Sequence, residues 1–108
     1  MGKDIRSFAS DMKISLAKYK KELEEDLSYA TRNEGEAELN KLHGTLSDLR
    51  EYVSVCCGMI LNIPDSKKVI SALNAKITPL CNELITSKTG KDCLIQARNV
   101  ILALNEIV

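Results

Sequence analysis

The strongest metal ligands and nucleophiles in this 108-residue sequence are Cys56, Cys57, Cys81, Cys93 and the single histidine, His43. Together they could in principle hold a zinc ion. Structural zinc sites draw their ligands from close pairs such as C-x2-C or H-x3-H, because two side chains on one turn must aim at one ion. No such pair occurs. Cys56 and Cys57 are adjacent, and adjacent side chains on a helix diverge by about 100°. The spacing therefore predicts no metal site and no cofactor. Three of the cysteines fall on apolar faces, where a free thiol behaves as a small hydrophobe. Reduced, buried thiols are expected rather than disulfides.

Other chemistries fail at identifiable residues. A histidine on a helical bundle can relay phosphoryl groups if its approach is open, with a glycine three or four residues on. Those positions hold Leu46 and Ser47, and Gly44 is directly adjacent to His43. Thr89-Gly90-Lys91 echoes a phosphate-binding loop, but that loop needs G-x-x-x-x-G-K-[ST] after a strand. Ile85 stands where the first glycine belongs and Asp92 where the hydroxyl belongs. No G-x-S-x-G, H-E-x-x-H or calcium-loop pattern occurs. Glu22, Glu24, Glu25 and Asp26 read as solvated carboxylates with ordinary acidity. The sequence predicts a protein that is not an enzyme.

The elements that position these residues are legible in the apolar spacing. Residues 53–61, VSVCCGMIL, lie inside a longer seam: Leu39, Leu42, Leu46, Leu49, Val53, Cys56, Ile60 and Ile63 step 3-4-3-4-3-4-3. An unbroken heptad predicts a helix packed like a coiled coil. Val55, Cys57, Met59 and Leu61 fill its other faces, which reads as a helix buried all round. Gly58 suggests a close helix crossing. Ile5, Phe8, Met12, Leu16, Tyr19, Leu23, Leu27 and Ala30 define an earlier helix, from about Lys3 to Thr31. Its run KYKKELEED supplies the solvated face.

A third helix follows Pro64, with Asp65 or Ser66 as cap. It carries Val69, Ile70, Leu73, Ile77, Leu80, Cys81, Leu84 and Ile85 as far as about Ser87. Pro79 either kinks it or splits it, with Thr78 capping a new start. A fourth helix runs from about Lys91 to Ile107. Its apolar face is Leu94, Ile95, Ala97, Val100, Ile101, Leu104, Ile107 and Val108, and Thr89 and Asp92 suggest a capping box.

Turn signals at RNEGE, NIPDS and SKTGKD join these four segments. The sequence therefore predicts a single domain over residues 1–108, an all-α antiparallel up-and-down bundle whose first two helices are longest. Apolar residues thin out at the end of the first helix and the start of the second. That predicts a two-helix arm, about Lys18 to Thr31 against Glu36 to Arg50. The alternative is that the third and fourth helices cover the seam and no arm exists. On an arm, Tyr19, Leu23, Leu27, Ala30, Leu39, Leu42 and Leu46 form the expected partner or oligomer interface.

Charge narrows the partners. The 15 basic and 15 acidic residues cancel, which is no footprint for nucleic acid. The first residues, MGKDIRSFASDMK, are polar and predict neither a secretory signal nor, with Arg6 in place of a hydroxyl, a myristoylation site. The uncharged run Tyr52 to Pro64 is too short for a membrane helix. The expectation is a cytoplasmic interaction module, an adaptor, inhibitor or assembly subunit, that binds another protein or itself as a homodimer. The alternative is a nucleic-acid-associated regulator using Lys67, Lys68, Lys76, Lys88, Lys91 and Arg98.

Overall fold

The computed structural model describes residues 5–33, 35–62, 67–85 and 88–107. Four helices account for nearly all of them: α1 (Ile5–Asn33), α2 (Glu36–Asn62), α3 (Lys67–Glu83) and α4 (Asp92–Asn105). Among the described residues there is no strand, and the all-α bundle expected from the periodicity is the fold. Ile63 and the expected caps Asp65 and Ser66 lie outside the described residues. So do the side chains of Ile5, Ile60, Leu61, Lys67, Lys68, Val69 and Ile70.

The 29 residues of α1 span roughly 43 Å at 1.5 Å per residue. That is close to the molecule's long axis of 47 Å, so the first two helices set its length. They pair antiparallel. Tyr19 stacks on Tyr52 with ring centroids 5.5 Å apart, and further along Thr45 bonds Asp26. After Asn33, the Gly35 carbonyl accepts the Leu39 amide at 3.0 Å and opens the hydrogen-bond ladder of α2. Arg32, in the last turn of α1, bonds the Ser28 carbonyl and hydroxyl and lies over the Tyr29 ring. A cation there also suits the negative end of the helix dipole.

The core is continuous. Met12, Leu16 and Leu23 of α1, Leu42 and Leu49 of α2, Ile77 and Leu80 of α3, and Val100 and Leu104 of α4 are all nearly inaccessible to solvent. The stretch VSVCCGMIL is helical throughout, as its seam predicts. It is not buried all round, however. Val53 and Cys56 face the core, while Val55 and Met59 are 59% and 46% exposed. The other helices cover only one side of α2. Gly58 marks no close crossing either: a Cβ added there would meet nothing within 4 Å among the described residues.

Helix α3 continues through Pro79 without a break. Thr78 starts no new helix. Its hydroxyl donates back to the Asn74 carbonyl at 2.6 Å, filling an acceptor one turn earlier. The start of α4 departs from the expected capping box. Lys91 occupies the cap position in helical conformation, and no side chain caps the first turn. Instead Gly90 takes φ +59°, a left-handed conformation that glycine adopts without steric cost. The Gly90 and Lys91 carbonyls then accept the Cys93 and Leu94 amides, both at 3.1 Å.

Candidate interaction surface and thiol sites

The expected seam residues are brought together, but inside the chain. Leu23, Ala30 and Leu42 are fully buried and Leu46 nearly so. Tyr19, Leu27 and Leu39 are half-buried and pack against the same core. Helix α4 packs on both α1 and α2. The expected arm is also gripped partway along, because His43 of α2 touches the connection between α3 and α4. The interior of the seam is thus occupied by the protein's own helices. Only its rim, Tyr19, Leu27 and Leu39, meets solvent.

One member of the seam was hidden by its charge. Asp26 is not solvated: it is 4% exposed. The buried residues of α1 step through Leu16, Leu23, Asp26 and Ala30, with half-buried Tyr19 in register, so Asp26 occupies a core position and Leu27 a flank. Its carboxylate accepts the Thr45 hydroxyl at 2.6 Å and faces the Lys41 ammonium at 3.5 Å. Thr45 is itself buried. A buried charge needs such partners, and among the described residues no buried side-chain nitrogen or oxygen lacks one. Glu22, Glu24 and Glu25 are exposed as expected.

A second polar cluster holds the entry to α4. The Lys88 carbonyl accepts both His43 Nδ1 at 2.8 Å and the Cys93 thiol at 2.9 Å. A carbonyl can only accept, so Nδ1 carries the proton. Cys93 Sγ lies 4.0 Å from that nitrogen. An activated Cys–His nucleophile needs the ring nitrogen to receive the thiol proton. Here both groups donate to the same oxygen, and burial, followed by the nearby Asp92 charge, pushes the Cys93 thiol upward from its ordinary value. Gln96 completes the cluster: its amide donates to the Glu83 carbonyl at 2.8 Å and accepts the Lys88 amide at 3.2 Å. The geometry fastens helices together and leaves the thiol protonated.

The remaining cysteines form a third group. All four are free. Cys56 is buried, and desolvation raises its thiol, opposed by a hydrogen bond with Tyr52. Cys57 and Cys81 face each other across α2 and α3 with their sulfurs 3.3 Å apart. Desolvation pushes Cys81 up to about 12, with Cys57 adding to the effect. Among the described residues no cluster of three or more His, Cys, Asp or Glu side chains could hold a metal ion.

The outer surface carries large apolar side chains, and two of them, Ile85 and Ile95, were expected on the covered apolar faces of their helices but stand in solvent. On α4, Ile95 and Leu102 are 59% and 64% exposed. They lie seven residues apart, two turns along one face. Ile85 stands exposed beyond the end of α3. An open groove of about 330 Å³ lies between the end of α3 and the first turns of α4, lined by Asn82, Glu83, Lys88, Asp92, Ile95, Gln96 and Asn99. The available signal was an excess. Helix α4 has 14 residues, and Leu94, Ile95, Val100, Ile101, Leu102 and Leu104 occupy more of its circumference than one contact face can cover. The basic residues of the alternative reading, Lys76, Lys88, Lys91 and Arg98, are exposed. The groove at Lys88 also holds Glu83 and Asp92, so its charge is mixed.

Among the described residues no helix is long and apolar enough to cross a membrane. No protein-family model, curated protein or solved structure matches this chain.

Proposed function

We propose that this protein is a non-catalytic interaction module that binds a protein partner through helix faces. The observation that carries this reading is the outward pair Ile95 and Leu102, spaced one heptad apart on α4 and more than half exposed. A heptad pair of aliphatic residues is what a partner helix needs in order to settle along a face. Single exposed aliphatics are common and need no explanation. A spaced pair whose Ile95 lines an open groove is a shaped surface.

A second copy of the chain is the simplest partner, since a two-fold contact needs only one such face. Covering the still-exposed parts of Ile95 and Leu102 gives about 1–2 kcal/mol per side chain. Four such side chains in a dimer offset the lower part of the roughly 4–15 kcal/mol lost on association. This surface alone supports a weak, concentration-dependent contact. Ile85 and the half-covered seam rim at Tyr19, Leu27 and Leu39 offer further area. A cytoplasmic setting fits four free thiols.

Light scattering over a tenfold concentration range tests the reading. The expected result is a mass that rises toward twice the 12.0 kDa chain mass and returns to one chain in an I95E/L102E variant. If wild type stays monomeric, a pull-down compares the two proteins. A partner held by wild type and lost by the equally helical variant supports binding to another protein. Recovery of the same proteins by both, with no self-association, refutes this face as the binding surface.

A further inference from the structure

We propose that Cys57 and Cys81 form a reversible disulfide that responds to hydroperoxides and clamps α2 to α3. The two thiols belong to different helices and are already in sulfur contact at 3.3 Å. A disulfide needs about 2.05 Å, so the sulfurs must close by little more than an ångström. Both residues are partly open to solvent, so a small oxidant and a dithiol reductant can reach them. This inference does not depend on the α4 surface.

The other two cysteines do not compete. Cys93 is fully buried and its thiol is engaged by the Lys88 carbonyl. Cys56 is buried and hydrogen-bonded with Tyr52. As the sequence neighbour of Cys57 on a helix, it also points to a different side of α2.

The thiolate is the attacking species, and either sulfur of the pair can supply it. With Cys57 as the sulfur that meets the oxidant, the steps balance. Its thiolate attacks one oxygen of hydrogen peroxide, the O–O bond breaks, and the departing hydroxide takes up the proton the thiol had released, giving Cys57 sulfenic acid and water. Cys81 sulfur then attacks the sulfenic sulfur. The S–O bond breaks, the Cys81 proton leaves with the hydroxyl as a second water, and the S–S bond forms. Two thiols lose two electrons and two protons, and hydrogen peroxide becomes two waters, or an organic hydroperoxide an alcohol and one water. A dithiol reductant reverses the change by exchange. In a reducing compartment such a bond is transient, as sensing disulfides are.

The test uses the full chain, reduced and then treated with hydrogen peroxide. Unreacted thiols are blocked, and the mass and disulfide map are read without reductant. The expected product is a single chain lighter by two hydrogens, with one linked peptide pair containing Cys57 and Cys81. Dithiothreitol should restore the starting mass. C57S and C81S should each lose the cross-link, while C56S and C93S keep it. The wild-type map decides the matter even if a variant folds poorly. A link to Cys56 or Cys93, a link between chains, or oxygen addition without a link would each overturn the proposal.

Discussion

Replacing Thr45 by valine isolates one hydrogen bond without changing the shape of the side chain. The Thr45 hydroxyl donates to Asp26 at 2.6 Å, and both residues are about 5% exposed or less. A hydrogen bond to a charged group contributes about 1.5–3 kcal/mol. The new methyl returns up to about 0.8 kcal/mol. The net loss for T45V is therefore about 1–2 kcal/mol. Lys41 rescues little, because its ammonium is 3.5 Å away and its side chain is 68% exposed to solvent. Removing Asp26 instead is cheaper. In D26A the Thr45 hydroxyl still has the Lys41 carbonyl at 3.2 Å, Lys41 returns to water, and alanine favours the helix by about 0.5 kcal/mol. The D26A/T45V double variant should thus be at least as stable as T45V alone. Urea unfolding followed by circular dichroism measures all four corners of the cycle, with an unchanged slope confirming the same transition. The argument is refuted if T45V stays within about 0.5 kcal/mol of wild type, or if the double variant loses more than the two single losses together.

Other outcomes follow from the same packing. Leu42 is fully buried between helices, so L42A should lose about 2–5 kcal/mol in urea unfolding, and L42D should not fold at all by circular dichroism. Gly44 is an exposed helical residue whose added Cβ meets nothing within 4 Å among the described residues, so G44A should gain about 0.8–1 kcal/mol. Stability should fall as pH rises above about 9. Burial raises Cys56, Cys81 and Cys93 above their usual 9.0, Cys81 to about 12. The unfolded thiols lose their protons first. Stability is complete below their unfolded value and is lost as pH climbs through the folded values. Urea midpoints measured from neutral pH to pH 10.5 would show the decline, and a C81S variant should flatten it.

The helices were legible because their core positions are mostly apolar and recur with helical spacing. The α2 seam through Leu42, Leu46, Leu49, Val53 and Cys56 is the core-facing side found in the fold. What escaped depends on relations between segments. Asp26 lies in the α1 seam, but a carboxylate reads as solvent-facing until its partner Thr45 is known to sit opposite. Val55 and Met59 read as buried because the number of neighbours around α2 is not written in α2. The α4 start was misjudged because Thr89 has cap chemistry, while Gly90 turns the chain without using it. Among the site residues, the spacing found the seam. It could not tell that α4 would cover the interior and leave Ile95 and Leu102 outside. No spacing rule pairs Cys57 with Cys81, which are 24 residues apart on different helices.

The shared Lys88 carbonyl also closes a long span of chain. Its bond to His43 joins positions 45 residues apart, whereas the Asp26–Thr45 bond joins positions 19 apart. Closing the longer span costs about 0.8 kcal/mol more chain entropy. The α1–α2 pairing therefore closes at lower entropic cost than the tie between α2 and the connection leading into α4. In native-state hydrogen exchange the amides of α4's first turn should open at lower free energy than those around Leu23 and Leu49. The Lys88 tie is then a point at which the bundle can loosen while its α1–α2 half stays folded.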